Sequence, residues 1–216
     1  MRSILVVNAK GGSGKSTLAC NLASFFACWG VEVSLVDFDR QGSARDWLQQ
    51  RPPSHPPVTV LHARPNDPLP EQCDYRILDV PSGLDGEALA QMLALADTVI
   101  VPVLPSPVDI RAGGRFIAEL LQSPGRRAEQ RLCVVANRCR ATTHSYRALE
   151  HFLARLEIPF IARLRDTQNY LRAAEQGLGI FELPTREVIK DLAEWQPLVA
   201  WISGDPRLIL VPEIKD

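Results

Sequence analysis

The run Ser3–Thr17, S-I-L-V-V-N-A-K-G-G-S-G-K-S-T, constrains the fold of this chain more than any other feature. Ser3–Val7 reads as a buried strand. It passes into a loop with three glycines, and a helical pattern follows at once, with Leu18, Leu22 and Phe26 at helix spacing in Lys15–Trp29. Gly11, Gly12 and Gly14 let the loop's N–H groups curl around an anion with no Cβ in the way. The helix behind them points its positive end at the same anion. In this setting Lys15 would reach the β- and γ-phosphates of a nucleotide, and the hydroxyl of Ser16 would ligate Mg²⁺.

The rest of the chain repeats the alternation. Strand-like runs are expected at Val31–Asp37, Val58–Ala63, Tyr75–Val80, Thr98–Val103, Arg131–Asn137 and Phe160–Leu164. Helices are expected at Ser43–Gln50, Gly86–Ala96, Ile110–Gln122, Thr143–Leu156, Asn169–Gln176 and Arg186–Ile202, while Arg51–Pro57, with four prolines, is loop. Continuous apolar strands between helices predict an α/β fold: a doubly wound, mostly parallel sheet with helices on both faces. At 216 residues, with no repeat and no convincing linker, residues 1–216 are expected to form a single domain.

Composition narrows the function classes. A net charge of −1 gives the whole molecule no strong field toward nucleic acid or membrane, so any such binding needs a local patch. The five cysteines, Cys20, Cys28, Cys73, Cys133 and Cys139, include no C-x-x-C pair, which disfavours zinc, a disulfide framework and an iron–sulfur cluster. No apolar run approaches the length of a membrane span, no signal peptide precedes Ser3, and a cytoplasmic location is expected.

Two further blocks end strands in acid. V-D-F-D-R-Q-G-S places Asp37 and Asp39 at the carboxyl end of the second strand, the edge where open parallel sheets bind ligands. I-L-D-V-P-S-G-L, Ile77–Leu84, closes another strand with Asp79. The loop itself lacks the usual first glycine, having Ala9 there, and carries Lys10 instead. Lys10–Thr17, K-G-G-S-G-K-S-T, resembles the deviant Walker A motif of the ParA/MinD family of P-loop ATPases, and most closely that of the small ParA-type partition proteins.

That resemblance implies ATP and Mg²⁺ as ligands, held by Lys10, Gly11, Gly12, Ser13, Gly14, Lys15, Ser16 and Thr17. It implies that Lys10 contacts the phosphates bound by a partner subunit, so that ATP drives homodimerisation. Asp39 would stand near the attacking water and the metal, although the family's usual proline after it is Arg40 here. Asp79 would hold Mg²⁺ through water, Pro81–Gly83 would be the switch segment, and Asn137 would contact the adenine. Lys10, Lys15 and Asp39 are thus the catalytic candidates, and Ser16, Asp39 and Asp79 the metal candidates.

Among relatives of this kind, some position plasmids, chromosomes or protein organelles on bulk DNA. Others of MinD type are regulatory or scaffold partners of membrane machines. The last ten residues, R-L-I-L-V-P-E-I-K-D, do not resemble a MinD membrane helix, because Pro206 and Pro212 bracket too few residues for one and basic side chains are sparse. With the chain starting directly at its first strand, no operator-binding helix-turn-helix domain is expected before it. Between Arg126 and Arg172 ten arginines stand against four acidic residues, so non-specific DNA binding is expected there, with Arg163, Arg165 and Arg172 as first candidates and the nucleoid as the location. No arginine near the motif blocks is read as an arginine finger. Slow turnover alone is therefore expected, with a ParB-like or other adaptor protein stimulating hydrolysis.

Overall fold

The computed structural model describes residues 1–140, 147, 149, 151, 152, 154 and 158–205. Seven parallel strands are described: β1 (Arg2–Val6), β2 (Val33–Asp37), β3 (Thr59–His62), β4 (Tyr75–Asp79), β5 (Thr98–Val103), β6 (Arg131–Cys139) and β7 (Phe160–Arg165). They form one sheet in the order β3-β2-β4-β1-β5-β6-β7. The described helices are α1 (Lys15–Cys28), α2 (Ser43–Gln50), α3 (Gly86–Ala94), α4 (Pro107–Gln122), α5 (Asn169–Glu175) and α6 (Thr185–Ser203), with a 3-10 turn at Ile180–Glu182. The fold is the doubly wound parallel α/β sheet expected from the alternation. The expected Thr143–Leu156 helix lies largely outside the described residues, although residues 147, 149, 151 and 152 are helical. Residues 206–216 also lie outside them. No described helix is long and apolar enough to cross a membrane.

Strand side chains alternate between two cores because successive Cβ atoms leave opposite faces of a pleated sheet. Ile4, Val6 and Ile77 join one core with Leu18, Phe26, Trp47 and Trp195. Leu5, Val7 and Leu78 join the other with Leu89, Phe116, Leu120 and Leu149. The helix α1 is buried on nearly every side, which is why its sequence K-S-T-L-A-C-N-L-A-S-F-F-A-C carries no charge after Lys15.

One helix starts earlier than its periodicity indicates. Residues 107–109 open α4, with Pro107 in the first turn and the Ser106 hydroxyl accepting from the Asp109 N–H. Proline suits this position because its missing N–H would have no helical partner there, and its φ is already helical. This early start carries Asp109 from a loop into the first turn of a helix.

Register decides where the acidic residues meet. Val6 on β1 pairs with Asp79 on β4, and Asp79 pairs with Asp37 on β2. The ends of three adjacent strands therefore lie on one rung at the carboxyl edge, directly beneath the glycine loop.

A candidate nucleotide site at the carboxyl edge

The loop after β1 is shaped by its neighbours. Asn8 donates to the Pro102 carbonyl at 2.6 Å and accepts from the Lys10 N–H at 3.0 Å, so β5 sets the loop's exit angle. At the far end Gly14 has φ 92°, and a Cβ there would lie 2.2 Å from Asn137 Nδ2. Only glycine serves at that point, on both counts. The resulting pocket, about 280 Å³, is lined by Gly11, Gly12, Gly14, Lys15, Ser16 and Thr17 on one side, and by Asp39, Ser82 and Arg138 on the others.

Lys15 is buried at the start of α1. Desolvation lowers its pKa, opposed by the carboxylates of Asp79 and Asp39. Asp79 is fully buried, and burial pushes its pKa up to about 7, with Asp37 adding to the rise and Lys15 opposing it. Neither oxygen of Asp79, nor Oδ2 of Asp37, has a hydrogen bond of ordinary geometry among the described residues, although the Ser16 hydroxyl lies near enough to Asp79 to oppose its rise. Orphaned buried acceptors are costly. Carboxylate oxygens beside a hydroxyl such as that of Ser16 are the donor set a hard divalent cation selects, so the residues present fit Mg²⁺. Asp37, which carried no assigned role, belongs to this group by register.

Asp39 stands at the pocket wall in a closed turn. Its N–H donates to Asp37 Oδ1 at 2.9 Å, its own Oδ1 accepts from the Gln41 N–H at 3.0 Å, and its carbonyl accepts from the Gly42 N–H at 3.0 Å. Arg40 is exposed within this turn. None of these three bonds uses residue 40, so the turn closes around Asp39 with arginine where the family's proline would stand. The segment after Asp79 is tied to the loop as well, through Gly83 N–H to the Ala9 carbonyl at 2.8 Å.

Lys10 does not point at this pocket's phosphate cradle. Its ammonium lies 2.5 Å from Asp109 Oδ1, in the first turn of α4, and the other Asp109 oxygen is bonded to the Ser106 hydroxyl. Asn137 is buried, donates to the Ser13 carbonyl at 2.8 Å and accepts from the Arg138 N–H at 2.9 Å. Here it clamps the loop; one amide N–H remains for a base.

The arginines picked as a DNA surface are placed differently from the expectation. Arg165 bonds Asp191 through two nitrogens, at 2.5 and 2.9 Å, and its N–H donates to Glu194. The Asp191 carboxylate is fully buried, so Arg165 braces β7 against α6 and is not a spare cation for phosphate. Arg172 pairs with Glu187 at the surface. Arg163 is exposed on β7, the edge strand, with Glu194 close enough to feel its charge. The residue that motif reading overlooked is Arg138, which opens onto the pocket itself. Its adjacency to Asn137 was the available signal.

The profile of the CbiA family, described as the CobQ/CobB/MinD/ParA nucleotide binding domain, matches residues 4–180. A protein named Maintenance of carboxysome distribution protein A from Gloeobacter kilaueensis is 30% identical over 210 residues, covering 95% of this chain and 96% of its own. Its namesake from Halothiobacillus neapolitanus is 28% identical over 192 residues, covering 85% and 88%. An ATP complex of a Cyanothece McdA variant matches with a TM-score of 0.69 at 14% identity, covering 97% of this chain and 98% of that one; this is a likeness of fold.

Proposed function

Because this chain belongs to the CobQ/CobB/MinD/ParA family of nucleotide-binding domains, we propose that it is a ParA-type ATPase. In this reading it binds Mg-ATP at the β1–α1 pocket, forms a dimer around two nucleotides, and hydrolyses ATP slowly until an adaptor protein accelerates it. The observation that carries the proposal is the buried rung beneath the loop. Lys15 is desolvated near the carboxylates of Asp79 and Asp39, and both oxygens of Asp79 with Oδ2 of Asp37 form a buried acceptor set that fits a divalent cation.

The residues divide the work as follows. The loop N–H groups and Lys15 bind the phosphates, and the α1 amino terminus adds its dipole. Ser16 and Asp79 would hold Mg²⁺, directly or through water, and the metal would neutralise charge on the transferred phosphoryl group. Asp39, in its fixed turn, orients the attacking water and accepts its proton late. Lys10 crosses to the partner's phosphates, where a compact ammonium offsets repulsion between two apposed anions. Asp39→Ala is therefore expected to trap a long-lived ATP dimer. Calorimetry tests the base of the proposal: the wild type binds Mg-ATP and Lys15→Ala does not. Unchanged affinity in that variant would remove it.

The cargo reading is finer. Two relatives that cover most of this chain are named for carboxysome distribution. A protein organelle is accordingly the first cargo to test, ahead of a plasmid or chromosome, in a cytoplasmic protein associated with the nucleoid. Attachment to the nucleoid would come from non-specific DNA binding by the ATP dimer. Dimerisation doubles the number of phosphate contacts, and affinity should fall with salt at a slope of about −0.9 per phosphate neutralised. Arg163 and Arg172 are the positions to reverse. Arg165→Glu would set a carboxylate against buried Asp191 and test the fold instead. If the wild-type ATP dimer fails to retain DNA in low salt, the nucleoid reading falls and the ATPase reading stands.

A further inference from the structure

We infer that Arg138 is a nucleotide-binding residue whose guanidinium joins Lys15 in holding the polyphosphate. The inference rests on the ATPase reading and deepens it. Four observations carry it. Arg138 lines the same pocket as Gly12, Lys15 and Ser16. Its backbone is locked to the loop: the Arg138 N–H bonds Asn137 Oδ1 at 2.9 Å, and Asn137 Nδ2 bonds the Ser13 carbonyl at 2.8 Å. Asn137 is buried, so this two-bond bridge holds the start of the arginine side chain at a set place beside the cradle.

The third observation is conformational. Arg138 has φ 51°, one of two positive-φ residues other than glycine among those described. Such a backbone is uncommon for a long side chain and is sustained by its surroundings. Here it leaves Arg138 exposed between buried Asn137 and buried Cys139, with its side chain over the pocket. The fourth is charge. Lys10 is drawn away to Asp109, while Asp37, Asp39 and Asp79 gather below the loop. A nucleotide triphosphate entering with several negative charges then meets Lys15 and Arg138 as the cations of the pocket. The Arg138 guanidinium has no hydrogen bond or ion pair among the described residues, so its donors are available. A planar fork suits adjacent phosphate oxygens, which it can bond in pairs.

The test is calorimetric titration of the full chain with Mg-ATP and, separately, with inorganic tripolyphosphate, which has no base. Arg138→Asn removes the guanidinium and keeps a residue that tolerates a left-handed backbone, so the fold is retained. It is expected to weaken both ligands about tenfold, as befits a charge-assisted contact at a partly open site. Arg138→Lys should recover part of the loss, because it restores the charge without the fork. Wild-type affinity of Arg138→Asn for tripolyphosphate would overturn the inference. A loss confined to ATP would also overturn it, by moving Arg138 to the base. If the wild type and Lys15→Ala bind both ligands equally, the ATPase reading has failed, and this inference fails with it.

Discussion

Replacing Asp109 with asparagine should make the ATP-dependent dimer tighter. In the single chain Lys10 and Asp109 are paired at 2.5 Å. For Lys10 to reach a partner's phosphates this pair must open, so it opposes dimerisation by its own coupling free energy. The bare Coulomb attraction at that distance is large, but the Lys10 side chain is 40% exposed and that of Asp109 11%. Solvent screens such a pair, and a net coupling of about 1 kcal/mol, at the upper end for surface pairs, is appropriate. Each dimer opens two pairs, so about 2 kcal/mol is returned on mutation, or roughly 30-fold in the dimer dissociation constant. Asparagine keeps the size of Asp109 and an acceptor for the Ser106 hydroxyl, so the start of α4 is preserved. Sedimentation with ATP is the assay, in an Asp39→Ala background so that hydrolysis does not drain the dimer. Combining Lys10→Ala with Asp109→Asn should behave as Lys10→Ala alone. A dimer of Asp109→Asn no tighter than its parent would refute the reasoning, since the pair would then exert no restraint.

Two further outcomes are expected. Gly14→Ala should abolish ATP binding measured by calorimetry and lower stability by about 1–3 kcal/mol in urea unfolding, because the new Cβ lies 2.2 Å from Asn137 Nδ2 at a residue with φ 92°. Glu182→Gln should cost about 3 kcal/mol at neutral pH, because buried Arg51 then loses its carboxylate. Burial alone would raise the Glu182 pKa, but bonds from Arg51, the Gly179 N–H and the Ser24 hydroxyl outweigh it and hold it low. A depressed carboxylate stabilises fully above its unfolded value, about 4.3, and the gain is lost as pH falls through the lower folded value. The unfolding stabilities of the wild type and Glu182→Gln should therefore draw together as pH falls through that lower folded value, and a gap that stays constant across the whole acid range would contradict the assignment.

The parallel α/β sheet was legible because each element is written locally. Thr98–Val103 and Ser43–Gln50 appear in the structure with the bounds read from periodicity, and β1 and α1 differ by a residue. Apolar alternation, glycine loops and prolines are properties of neighbouring residues, and no distant contact overrides them here. The start of α4 was missed by three residues because P-S-P reads as loop until the Ser106 cap is seen closing on the Asp109 N–H. The phosphate loop and the acids could be located for the same local reason: the loop leading to Lys15 follows β1, Asp37 ends β2 with Asp39 in the turn after it, and Asp79 ends β4.

Which groups reach the carboxyl edge of the sheet follows from local sequence, because a strand that ends in a turn delivers its last side chain there whatever its neighbours are. How those groups pair follows from the packed sheet. Strand order β2-β4-β1-β5-β6-β7 set Asp37 beside Asp79, brought Asn137 across to Ser13 and opened Arg138 onto the pocket. It also turned Lys10 toward Asp109 and spent Arg165 on Asp191. None of these partners is a neighbour in sequence. Periodicity records which face of an element is buried and carries no information on which strand lies next to it, and charges pair with whatever that order brings within reach.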